Sequence, residues 1–188
     1  MNLYQLALFL HIVGVVCFFM PLGVYLFGLL ALRRARQAQQ VRMICQAIFA
    51  TDAVAVGGIL LVAVAGLYMA FTAWGITTGW VIVAIVSFAL MAPIGPLLVE
   101  RRLHIIAKLT AEASNEPLSR ETQQRIDDPV MGAGLLLMIA WLLGIIYLMT
   151  TKPTLQGAIV AMIVAAVLGL LAGAPFWLTR RRAKAIAG

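Results

Sequence analysis

Charge is what this chain has least of. Only 11% of its 188 residues are Asp, Glu, Lys or Arg, against 63% hydrophobic. A water-soluble domain of that length could not cover its surface with so few polar side chains. Histidine and cysteine are equally scarce, with two of each. Cys17 and Cys45 lie in or at apolar stretches, which does not suit an extracellular disulfide framework. No Walker A loop, HExxH, GxSxG or GxGxxG pattern occurs, and no acidic cluster offers two-metal chemistry. The expectation is a protein that is not an enzyme, because only His11, Asp52 and a few tyrosines within apolar surroundings would be left to do chemistry.

The formal net charge of +7 would suit a nucleic-acid partner if it were spread over one face. It is not: the basic residues sit just beyond the ends of apolar blocks, where they act as topology signals and touch anionic lipid headgroups. The expected partners are therefore membrane lipids, not nucleic acid.

What the chain does have is long apolar runs, reflected in a mean hydropathy of +1.02. Five blocks stand out, at about 3–32, 43–74, 80–99, 130–149 and 155–178. Since a helix rises ~1.5 Å per residue and ~20 residues cross a ~30 Å hydrocarbon core, each block is long enough to span. The first two exceed that length and are expected to tilt, kink or project beyond the bilayer. Pro21 with Gly23 marks an expected bend in the first, and Pro93 with Pro96 one in the third. The first helix is expected to stay in place, since no basic n-region precedes it and its apolar stretch is too long for a cleavable signal.

Thirteen of the fourteen Lys and Arg residues fall after blocks one and three or in the C-terminal tail, and only Lys152 falls on the other side. The basic side is expected to face the cytoplasm, which puts the N-terminus outside and the C-terminus inside. The one sizeable polar piece is the cytoplasmic stretch 100–129. Its first part extends the third helix as an amphipathic interfacial turn or two, Pro117 breaks it, and Ser119 caps a short helix with Glu121 in its first turn. The fold class is all-α: one polytopic transmembrane bundle of five helices in a single domain, 1–188.

Two kinds of residue stand out against this background. Gly157, Ala161, Ala165, Gly169 and Gly173 recur every four residues on one face of the fifth helix, a seam that lets another backbone approach closely. It serves packing within the chain or a homodimer through helix five. Asp52 is the one charge inside an apolar block, and a mid-helix carboxylate costs ~2.5–3.5 kcal/mol, so it needs a partner, water or a proton. Counting from the block's cytoplasmic edge places it ~14 Å deep, level with Tyr25. It would be protonated and hydrogen-bonded, with Tyr25 as one partner, or it would line a small hydrated cavity.

His11 lies ~12 Å from the other edge, level with Tyr68 and Ser87, and these three are expected to form a hydrogen-bonded cluster. More than ~15 Å of depth then separates His11 from Asp52. His11 is also the weak candidate for a metal ligand. A haem b could take it as an axial ligand, though His104 lies beyond Arg101 and Arg102 and cannot supply a second. Copper would suit Met and Cys, but no M-x-x-M or C-x-x-C spacing gathers them.

Leu10–His11–Ile12–Val13–Gly14, Asp52 with Gly57 and Gly58, Gly66–Leu67–Tyr68, Thr78–Gly79–Trp80 and Lys152–Pro153 occur in an order that resembles the bacterial family of predicted integral membrane proteins called DUF2269, over most of the chain. More distantly, the Leu-His-x-x-Gly opening is similar to that of CopD-type membrane proteins implicated in copper resistance. The resemblance implies a small bacterial inner-membrane protein and draws attention to His11 and Asp52 without naming a substrate. The leading expectation is a non-enzymatic protein with polar sites around His11 and around Asp52. A proton-coupled transporter using Asp52, a haem or copper protein, and an assembly partner are the alternatives.

Overall fold

The structure is a computed structural model describing residues 2–111 and 117–187, with side chains as far as Leu178. Residues 112–116 of the polar stretch and the side chains of the Arg180–Arg182 cluster lie outside the described part. Eight α-helices follow in order: α1 (Leu3–Leu32), α2 (Ala38–Phe49), α3 (Asp52–Met69), α4 (Gly79–Met91), α5 (Arg101–Thr110), α6 (Arg120–Ile126), α7 (Pro129–Thr151) and α8 (Leu155–Ala187). Five helical stretches are long and apolar enough to cross a membrane: Leu3–Leu32, Ala38–Trp74, Gly79–Thr110, Arg120–Thr151 and Leu155–Leu178. No strand occurs among the described residues; Gln37 and Pro117 make one isolated antiparallel bridge.

Two of these spans are interrupted, each for a local reason. The second bends at Ala50–Thr51, where Thr51 Oγ1 donates back to the Ile48 carbonyl at 2.7 Å, a local bond that competes with the helical ladder. Asp52 therefore opens α3 and does not sit in mid-helix as the apolar run suggests. In the third span Pro93 and Pro96 remove two N–H donors, and the chain passes through a π-helical turn, Pro96–Glu100. Arg102 Nη1 donates to the carbonyls of Leu97 and Leu98 at 2.9 and 3.2 Å. Its Nε meets Asp128 Oδ2 at 3.1 Å, and Asp128 caps α7 through Val130 N. A second π-helical turn, Ala70–Trp74, ends the second span. By contrast α1 runs uninterrupted through Pro21, which is buried.

Two antiparallel pairs, α1 with α3 and α7 with α8, make the most extensive contacts, and α4 leans on α7 and α8. At the α1–α3 crossing the backbones touch. A Cβ on Gly14 would stand 2.9 Å from Val62 N, and one on Gly58 would stand 2.8 Å from Gly14 O. The seam on α8 is filled by α7. Added Cβ atoms at Gly169 and Gly173 would stand 2.8 Å from Leu137 Cα and from Ala133 Cβ, and Ala165 Cβ lies against Gly144. From Ala165 to Gly173 that face serves packing within the chain, the first of the two alternatives, whereas Gly157 faces Pro153 and Thr154.

The densest packing is at the basic end. Leu32, Val41, Ile48, Leu103, Ile106 and Ile126 are at most 2% exposed, which binds α2, α5 and α6 into a collar around the end of α1 and the start of α7. Of the apolar residues of α5, Leu103 and Ile106 are buried on the side that meets α2 and α6, while Leu109 remains exposed. Ser119 caps α6 as the sequence leads one to expect, its Oγ accepting from Thr122 N at 3.2 Å. Arg33 adds a cation–π contact, its guanidinium 4.3 Å from the Phe176 ring centroid. Burial pushes that guanidinium below its ordinary range, and Asp127 and Asp128 pull it back up.

Gly58→Leu is expected to lower stability in detergent by at least ~1–3 kcal/mol through overpacking against α1. Gly57→Leu, at a position with open space beyond it, should be close to neutral. Equal thermal midpoints for the two variants would show that the crossing does not depend on the missing side chain.

Candidate functional site

Although consecutive, α3 and α4 do not pack against each other along their length. The space between the α1–α3 pair and α4 holds two mainly apolar cavities, one toward each end of the bundle. Each is bordered by one of the π-helical turns, which put extra, re-aimed residues into a helix and are frequent at functional sites.

The cavity at the basic end has a volume of about 370 Å³ and is lined by Tyr25, Asp52, Phe88, Met91, Pro96 and Glu100 among others. Tyr25 Oη donates to Asp52 Oδ1 at 2.8 Å. Asp52 stands in the first turn of α3, where unpaired N–H groups and the helix dipole favour a carboxylate. The phenol and the helix terminus together make this position tolerable within an apolar stretch. Glu100, the first residue of the polar stretch that follows the third apolar block, borders the same cavity as Asp52; the π-helical turn brings it there. His104 is elsewhere at this end, stacked on Phe49 with ring centroids 4.5 Å apart and planes 13° from parallel.

The other cavity, about 410 Å³, is lined by His11, Gly66, Trp74, Trp80, Phe88 and Lys152 among others. His11 is 6% exposed, and its Nδ1 lies 3.1 Å from the Val62 carbonyl oxygen. A carbonyl can only accept, so Nδ1 carries the proton. Gly66 leaves room for the ring: a Cβ there would stand 3.1 Å from His11 Cε1. At the mouth, Lys152 Nζ sits 3.8 Å from the Trp74 ring centroid, and Trp74 meets Trp80 edge-on at 5.7 Å. Lys152 is the left-handed residue that ends α7 (φ 48°). Phe88 borders both cavities, so one phenyl group stands between them.

The expected His11–Tyr68–Ser87 cluster does not form. Tyr68 is 38% exposed on the outside of the bundle. Two residues beyond Gly66, it points to nearly the opposite side of α3, since a helix turns ~3.6 residues per revolution. Ser87 is buried toward α7, where its backbone carbonyl accepts from Trp141 Nε1 at 3.0 Å. Depth along a helix matched these residues, and direction around it separated them. Gly66, Trp74, Trp80 and Lys152 went unnoticed as a group, though Trp and Lys near the ends of apolar blocks are a readable signal of a helix-end cluster.

Among the described residues no three His, Cys, Asp or Glu side chains come together to hold a metal ion. Cys17 and Cys45 are free thiols, Cys17 half-buried and Cys45 buried. A haem in the larger cavity would have His11 as its one nitrogen ligand, because His104 belongs to the basic end.

Five apolar spans enclosing two cavities define a polytopic integral membrane protein. The chain belongs to the family described as predicted integral membrane protein (DUF2269), whose model matches residues 5–153. No curated protein and no solved structure matches it.

Tyr25→Phe is expected to cost about 1–2 kcal/mol, the worth of a hydrogen bond to a carboxyl group in a partly buried site. Asp52→Ala, which removes the acceptor, should cost less in the Tyr25→Phe background than in the native chain, as partners in one bond are not additive. Unfolding titrations of the four proteins give the coupling directly, and simple additivity would mean the bond contributes nothing.

Proposed function

We propose that this protein is a non-enzymatic component of the bacterial inner membrane that holds a small, lipid-soluble molecule within its bundle. The cleft between the α1–α3 pair and α4 carries this reading. Cores ordinarily close to crystal-like density with few voids larger than a water, whereas here two consecutive spans stay apart and leave about 410 Å³ at one end. That volume lies in the range of small-molecule pockets, which are apolar with a few placed polar groups. His11, Lys152 and the indoles of Trp74 and Trp80 are those groups here.

The basic end faces the cytoplasm in this reading. The support is the concentration of Lys and Arg at that end, since short basic loops are retained on the cytoplasmic side. The larger cavity then opens toward the outer half of the membrane, and the Asp52–Glu100 cavity toward the inner half.

Nanodiscs carrying the full chain should take up 2-methoxynaphthalene beyond the partition into empty nanodiscs, with one site per chain. Ala63→Trp, which places an indole into the larger cavity, should abolish that excess. Uptake equal to empty nanodiscs for both this ether and 2-naphthol would overturn the reading. For orientation, a membrane-impermeant maleimide should label Lys152→Cys in intact cells, and Gln39→Cys only after lysis; the reverse pattern would invert the topology.

A further inference from the structure

The larger cavity carries a chemical preference that its size alone does not. His11 is more than nine-tenths buried, and its Nδ1 proton is committed to the Val62 carbonyl at 3.1 Å. In the neutral ring the second nitrogen, Nε2, is then a lone-pair acceptor. No described side chain or backbone group donates to it, although the ring borders the cavity. Nε2 is thus open to the cavity and not enclosed by the protein; in so apolar a space an acceptor without a donor is poorly satisfied, and a ligand that supplies the donor recovers that cost.

The rest of the lining narrows the shape of that ligand. Trp74, Trp80 and Phe88 border the same space, and aromatic walls favour a flat ring, stacked or edge-on. Asp52 and Glu100 belong to the other cavity, and Lys152 at the mouth is the one charged group among the lining residues. A cationic ligand would therefore meet repulsion, and a ligand bearing only acceptors would leave Nε2 unpaired. We infer that the His11 cavity selects a membrane-soluble phenol, a planar aromatic whose hydroxyl donates to His11 Nε2 while its ring lies among Trp74, Trp80 and Phe88. The inference rests on the reading of this cavity as a binding site and adds the class of molecule it takes.

The test compares 2-naphthol with 2-methoxynaphthalene, which has the same ring system but no donor, on the full-length protein in nanodiscs after subtraction of empty nanodiscs. Binding of the phenol is expected to be roughly tenfold tighter, the worth of one well-formed hydrogen bond. With 15N-labelled histidine, the His11 Nε2 resonance should move upfield when 2-naphthol is added and stay in place with the ether. His11→Phe should bring the two affinities together, and the comparison on the native chain decides the matter even if that variant does not fold. Equal affinities, or a preference for the phenol without movement of the Nε2 resonance, would overturn the phenol assignment and leave the cavity as a general apolar site. If neither compound binds beyond the empty nanodiscs, the binding reading itself falls.

Discussion

The close crossing of α1 and α3 at Gly14 and Gly58 is the constraint on which both candidate sites depend. With no side chain at either position, the two backbones come into direct contact, and that distance is passed along both helices. Toward one end, His11 lies within hydrogen-bond range of the Val62 carbonyl. Toward the other, the Tyr25 phenol reaches the Asp52 carboxyl. Apolar helices in lipid gain little from hiding hydrophobic surface from water, so packing and a few polar contacts must hold them together. Here one glycine pair positions two polar contacts at opposite ends of the same interface.

Packing is unevenly distributed over the molecule. The basic end is tied by a collar of aliphatic residues from α1, α2, α5, α6 and α7, by the Arg102–Asp128 ion pair and by Arg33 over Phe176. The pair α7–α8 closes through Gly144, Gly169 and Gly173. Between α3 and α4 there is no comparable seam. A bundle clamped at one end and along one pair can leave a cleft elsewhere without losing its shape. The π-helical turns at Ala70–Trp74 and Pro96–Glu100 face that cleft from both ends and turn Trp74 and Glu100 into its walls.

Much of the architecture was legible in the residues. Apolar length located five spans, the prolines located the break in the third, and Ser119 marked the start of α6. The positions of His11 and Asp52 singled them out because polar atoms are rare and expensive in such surroundings. Other features were misread for identifiable reasons. By hydropathy Asp52 is a mid-helix charge, because an apolar run does not register the break at Ala50–Thr51. The α8 seam does not name its partner in the sequence, since small residues show that something comes close and not what it is. Tyr68 and Ser87 share the depth of His11 but not its direction around their helices, and depth alone is readable from a residue count. Gly14 and Gly58 passed without a packing role, since two glycines on separate helices carry no shared period.

The sequence by itself determined that the chain crosses a membrane in five helices, because the solvent preference of a twenty-residue apolar run is a sum over its own side chains and needs no partner. It also determined which few polar residues must be accounted for. Tertiary structure decided how they are satisfied: Asp52 by a helix terminus and the Tyr25 hydroxyl, His11 by the Val62 carbonyl on one nitrogen and by no group of the described chain on the other. Those outcomes depend on the rotation of each helix about its axis and on the separation of neighbours. Both are set by contacts between residues far apart in the chain, such as Gly14 with Gly58, and by the gap that α3 and α4 leave between them.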